Sequence, residues 1–327
     1  MNKAGFRDFL HERKLTEEQV AAHITTVERF EGLLAARQKT LETAAARDVQ
    51  DFSAHLIREE QNTKDNYFAL FRYGRFIDNR DMFIAALEFL DGHEVMGNLY
   101  EKLAVEVGEE KRDAVFDGIV LPPLGASLAE LPFTTHAVME RMERLLGFET
   151  TRRILSPSLR TLPDEWYQDA LKMYRESRDL DDYIARREQD FVARLEQLKK
   201  KGELFYTQEI TDEVIDFVRA NPEMSSGVRE GNVIYETKMP YMAKQYLAAT
   251  DARMKRYYQC HCPWARDAIK EGRIAISPTF CYCSAGYVKR SWELIFGQTL
   301  QIDVLESVLK EGDLRCRFAI HLPEGAV

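Results

Sequence analysis

Long apolar runs are absent from the 327-residue chain. None approaches the roughly 18 residues that a membrane span needs. The opening segment MNKAGFRDFLHERK has no apolar core of the kind that secretion signals carry. A cytoplasmic protein without a membrane partner is therefore expected. Proline and glycine are sparse, at 10 and 17 residues, which leaves little material for long linkers. Basic charge is not in excess either: 45 Lys and Arg face 54 Asp and Glu, a net charge of -9. That balance excludes non-specific coating of nucleic acid, which depends on cations neutralising phosphates. The motifs of common enzymes are missing too: no Gly-rich phosphate loop, no Gly-x-Ser-x-Gly elbow and no His-Glu-x-x-His helix. Finally, no cysteine occurs before position 260.

Hydrophobic residues make up 45% and charged residues 30%, the proportions of a globular chain with a sizeable core. Residues 1–92 read as helical. Thr16-Glu17-Glu18-Gln19 is a capping box, and Val20, Ile24, Val27, Phe30 and Leu34 then repeat with the period of one helix face. Residues 93–222 are also helical, cut into pieces by Pro122, Pro123, Pro132, Pro157 and Pro163. One helix there opens on Asp179, Asp181 and Asp182 and closes on Lys199-Lys200-Lys201 before Gly202, as the helix dipole and a glycine cap favour. Residues 223–327 change character. Val233–Thr237 reads as a strand, Tyr241–Tyr258 as a helix, and Arg273–Ile276 as a short strand. Ser284 is expected to cap a helix ending at Gly297. Strands follow around Leu300–Leu305 and Cys316–Ile320. The expected class is α+β, a helical two-thirds followed by a small mixed α/β domain.

All five cysteines, Cys260, Cys262, Cys281, Cys283 and Cys316, lie in that last region. An odd number crowded together argues against a disulfide framework and for metal, redox or nucleophile chemistry. In extended chain, residues two apart share a face, so Cys260/Cys262 and Cys281/Cys283 would each present two sulfurs to one tetrahedral zinc. The alternative is ordinary burial, which is common for free cysteine. Cys262, with His261 nearby, is the candidate nucleophile. Trp264, Tyr287 and Trp292 fit either the wall of a ligand cavity or a core.

The run Cys283-Ser284-Ala285-Gly286-Tyr287, with Gly297, Glu306, Gly312-Asp313 and Cys316-Arg317-Phe318, resembles the end of the 4-vinyl reductase-type small-molecule-binding domain. In sensors of that family, zinc is held by cysteines and a glutamate beside the ligand pocket. The resemblance implies Cys283, Glu306 and Cys316 as ligands, with the fourth from Cys281, Cys260 or Cys262. Where the family has a further cysteine, this chain has Leu309. Earlier in the chain, Phe6–Leu10, Asp48–Phe52 and Ala69–Tyr73 resemble the helical SAM-like core-binding domain of tyrosine recombinases. That likeness implies DNA contact or dimerisation. Yet residues 1–80 hold 13 basic and 13 acidic side chains, and the recombinase Arg…His-x-x-Arg…Tyr set is missing. A plain packing module is the alternative.

The expectation is then zinc-stabilised binding of a small apolar or aromatic ligand, with iron or an iron–sulfur cluster as the other metal option. A hydrolase using the cysteines or a metal, and DNA-binding regulation through residues 1–92, stand as alternatives. A homodimer is compatible with each.

Overall fold

A computed structural model describes residues 1–325. The chain divides into two compact units: residues 1–93 with 121–131, and residues 94–120 with 132 onward. The regions 93–222 and 223–327 thus contribute mostly to one unit.

The first unit is helical, with helices Lys3–His11, Glu17–Ala35, Ala46–Arg58, Lys64–Phe76 and Arg80–Leu90. The Thr16 capping box forms as the sequence predicts: Thr16 Oγ1 accepts from the Gln19 N–H, and the Gln19 side chain accepts from the Thr16 N–H. Val20, Val27, Phe30 and Leu34 are buried against Phe6, Phe52, Leu70 and Tyr73. Residues 121–131 return to this unit through Gly125. Ser53 Oγ donates to the Gly125 carbonyl at 2.7 Å. Gly125 has a positive φ of 87°, and a Cβ there would overlap the Tyr67 hydroxyl, so only glycine fits.

The second unit is α+β. Its long helix Leu180–Lys201 is capped by the Asp179 side chain and ends at Gly202 in the left-handed conformation, as expected. The strands of the described residues are β1 (Val228–Glu230), β2 (Val233–Thr237), β3 (Gln301–Glu306) and β4 (Arg317–His321). They form one sheet in the order β1-β2-β4-β3, and all neighbours are antiparallel. Ile234, Ile302 and Ile320 align across it and are buried. Helix Cys281–Phe296 is tied to the sheet by the Trp292 indole, which donates to Glu236 on β2 at 2.8 Å.

Three expectations about local structure fail. Arg273–Ile276 is not a strand; the Ala275 carbonyl is bonded by the His136 ring instead of a ladder partner. The expected helix 241–258 is two helices, Ala243–Ala248 and Ala252–Gln259, because Asp251 caps a new start by accepting from the Met254 N–H. The helix expected from Ser284 begins at Cys281, directly after a 3-10 turn over Pro278–Phe280.

Candidate functional site

That early helix start decides the fate of the thiols. Cys281 and Cys283 lie in the first turn of a helix, where residues two apart point about 200° apart rather than to one side. Cys281 faces the Ser307 hydroxyl, Sγ to Oγ 3.0 Å. Cys283 instead receives the Leu159 N–H. Cys260 and Cys262 lie in the turn after helix Ala252–Gln259, each sulfur accepting from a backbone N–H two residues on. The Cys316 sulfur accepts from the Val308 N–H. Glu306 is engaged by Arg315, with N–O distances of 2.7–3.0 Å. Among the described residues, no three His, Cys, Asp or Glu side chains meet closely enough to hold a metal ion. This overturns the expected zinc-stabilised function through Cys283, Glu306, Cys316, Cys281, Cys260 and Cys262. The five cysteines are free thiols.

Nor are the thiols activated. Burial pushes the Cys260 thiol up to about 12, and Cys262, Cys281, Cys283 and Cys316 also rise, chiefly by burial. A nucleophilic cysteine needs the opposite shift. His261 is held neutral, first by burial and then by Lys238. Its Nε2 lies 2.7 Å from the Met239 carbonyl and donates to it, which leaves Nδ1 with the lone pair.

Cys316, Cys260, Cys262 and Cys283 lie near Lys238. It follows β2 directly, and its backbone is clamped on both sides. Its N–H donates to the Cys316 carbonyl at 3.0 Å, and its own carbonyl accepts from Gln259 Nε2 at 2.6 Å. Nζ donates to Ser284 Oγ at 3.1 Å and lies 5.4 Å from the centre of the Tyr287 ring. The Arg160 guanidinium approaches the same ring at 6.0 Å. Burial lowers the Lys238 pKa, opposed by the nearby Cys316 and reinforced by Arg160. Among the described residues Lys238 faces no carboxylate within ion-pair distance.

Gly286 places Arg160. A Cβ at Gly286 would lie 2.3 Å from the Ser156 carbonyl oxygen, so the bare backbone lets the 156–158 segment press against the helix. The chain then runs through Leu159, whose carbonyl is held by Asn98 at 2.7 Å, to Arg160. Ser158 Oγ bonds both the N–H and the carbonyl of Arg160.

Of the expected ligand-cavity residues, Tyr287 has both cations within 6.0 Å of its ring centre. Trp264 is buried, and its carbonyl accepts from Thr135 Oγ1 at 2.7 Å. Trp292 is enclosed in the core, edge-on to Tyr183. Sequence reading missed Lys238 and Arg160, since a single cation in a chain with 45 of them carries no signal.

A model of a family of unknown function (DUF6144) matches residues 170–326. That stretch contains Lys238, Tyr287 and all five cysteines, while Arg160 lies outside it. No curated protein and no solved structure matches the chain. No helix among the described residues is long and apolar enough to cross a membrane.

Proposed function

We propose that the second unit binds a small organic carboxylate at Lys238, beside the ring of Tyr287. The observation that carries this is the buried Lys238 amine, 3.1 Å from Ser284 Oγ and 5.4 Å from the centre of the Tyr287 ring, with no carboxylate facing it among the described residues. An ammonium withdrawn from water without a counter-charge is costly by several kcal/mol. The surrounding thiols are kept neutral by burial and do not supply that charge. A ligand carboxylate does. The tyrosine ring offers an apolar face to the rest of the molecule. The reading uses no metal.

Calorimetric titration with 3-phenylpropionate and its neutral amide tests it. The acid is expected to bind, the amide about tenfold more weakly or worse, and Lys238→Met to weaken the acid by a similar factor. Equal binding of acid and amide, or acid binding unchanged in Lys238→Met, would overturn the proposal.

A further inference from the structure

We infer that Arg152 is a guard: its side chain straps the free edge of the sheet and, with Asp303, keeps a second copy of this chain from adding its own β3 strand there. β3 has a strand beside it on one side only, where it pairs with β4. Two bonds show which way its backbone groups point. The Leu322 N–H donates to the Asn232 carbonyl at 2.8 Å, and the Lys238 N–H donates to the Cys316 carbonyl at 3.0 Å. In an antiparallel ladder, the groups of successive residues alternate between the two sides of a strand. Phe318 and Ile320 therefore bond toward β2, and Ala319 and His321 toward β3. Their partners Asp303 and Gln301 turn inward, which leaves the N–H and carbonyl groups of Ile302 and Val304 pointing off the edge. Among the described residues nothing bonds those outward groups.

The route of Arg152 follows from the face that each residue occupies. Directly opposed residues share a face of the sheet. Trp292 bonds Glu236, Glu236 lies opposite Phe318, and Phe318 lies opposite Val304, so helix Cys281–Phe296 covers the Ile302 and Val304 side. Asp303 and His321 lie on the other face, His321 Nε2 to Asp303 Oδ2 2.7 Å. Arg152 comes from helix Phe148–Leu155 on the helical side, where its guanidinium lies 5.7 Å from the centre of the Tyr282 ring. Its Nη1 donates to Asp303 Oδ1 at 3.2 Å. Asp303 is inside the strand rather than at its end, and β4 closes the inner side. The side chain therefore crosses from one face to the other round the free edge, past the backbone of Ile302 and Val304.

An incoming strand needs that space. Exposed edges are templates for strand addition, and proteins close them with charges, bulges and short strands. The opposite edge, β1, is only three residues long. On β3 the bulge between Val304 and Glu306 limits the open stretch, and the Arg152 strap fills what is left. Asp303 is a second obstacle. A copy of β3 running antiparallel and bonding Ile302 and Val304 would set Asp303 directly against its own counterpart, and like charges facing across a ladder repel. Leu305 beside them is an apolar side chain left 43% exposed.

Sedimentation velocity of the full chain over a wide range of concentration tests the guard. Arg152→Ala with Asp303→Asn removes the strap and the repulsion and keeps an acceptor for His321. This variant is expected to self-associate about tenfold more tightly than the native chain, or better. Adding Leu305→Lys, a charge at the edge, should return it to native behaviour. If the double variant loses its cooperative melt, Arg152→Gln, which keeps most of the side-chain stem, carries the same comparison. Association no tighter than in the native chain would overturn the inference. So would association that Leu305→Lys leaves unchanged, because it would then run through another surface.

Discussion

His23, in the first unit, is a buried histidine whose protonation the fold resists. Burial, then the Arg72 guanidinium against its Nε2, lowers its pKa from 6.5 to about 4. The folded state therefore binds fewer protons than the unfolded chain between those values. Stability is unaffected above pH 6.5 and falls as pH drops from 6.5 toward 4, by about 3 kcal/mol in all. Denaturant unfolding of the first unit across that range should show this slope, and His23→Gln should flatten it. A slope equally steep in His23→Gln would refute the assignment. The Lys238 pKa is also depressed by burial, but its chemical outcome differs. His23 already faces a cation, with Asp65 nearby, whereas Lys238 faces no carboxylate within ion-pair distance among the described residues.

Among elements, the packing of helix Cys281–Phe296 on the 156–158 segment depends on one missing methyl group. Gly286→Ala places a carbon against backbone, which cannot swing aside as a side chain would. We expect a loss of about 1–3 kcal/mol, the usual range for overpacking. Carboxylate affinity should fall as well, because Ser284 and Tyr287, which face Lys238, flank Gly286 on the same helix. Chemical denaturation and titration of the same variant check both, and a stable variant with full affinity would show that the segment yields freely. The elements that were legible in sequence are those fixed by their own residues. Helix Leu180–Lys201 carries its cap and its stop in Asp179 and Gly202, and β4 carries its alternation in Phe318 and Ile320. The misread ones depend on distant chain. Arg273–Ile276 has strand-forming residues, but His136 takes a carbonyl that a ladder would use. The first turn of Cys281–Phe296 was hidden because the turn at Pro278 starts the helix three residues before Ser284. That shift separates the two sulfurs on which the zinc reading relied. Tyr287 could be singled out as an aromatic near the cysteines, but its two cations come from separate parts of the chain and meet only in the fold.

For the whole molecule, two compact units with separate cores allow two unfolding transitions. A bound carboxylate should raise only the transition of the second unit, by about 2.7 kcal/mol at a ligand concentration of 100 times Kd. Scanning calorimetry with and without 3-phenylpropionate checks this, and an equal shift of both transitions would count against a site confined to the second unit. The first unit has a further property, set by its discontinuous chain. Ser53 and Tyr67 complete their hydrogen bonds only with Gly125 and Leu124. During synthesis, then, the helices before residue 93 are made early but stay unsealed while the intervening 94–120 stretch, which belongs to the other unit, is still being translated. The amino-terminal unit can close only after the ribosome has released residues 121–131, so the start of the second unit is already outside the exit tunnel before the first has finished folding.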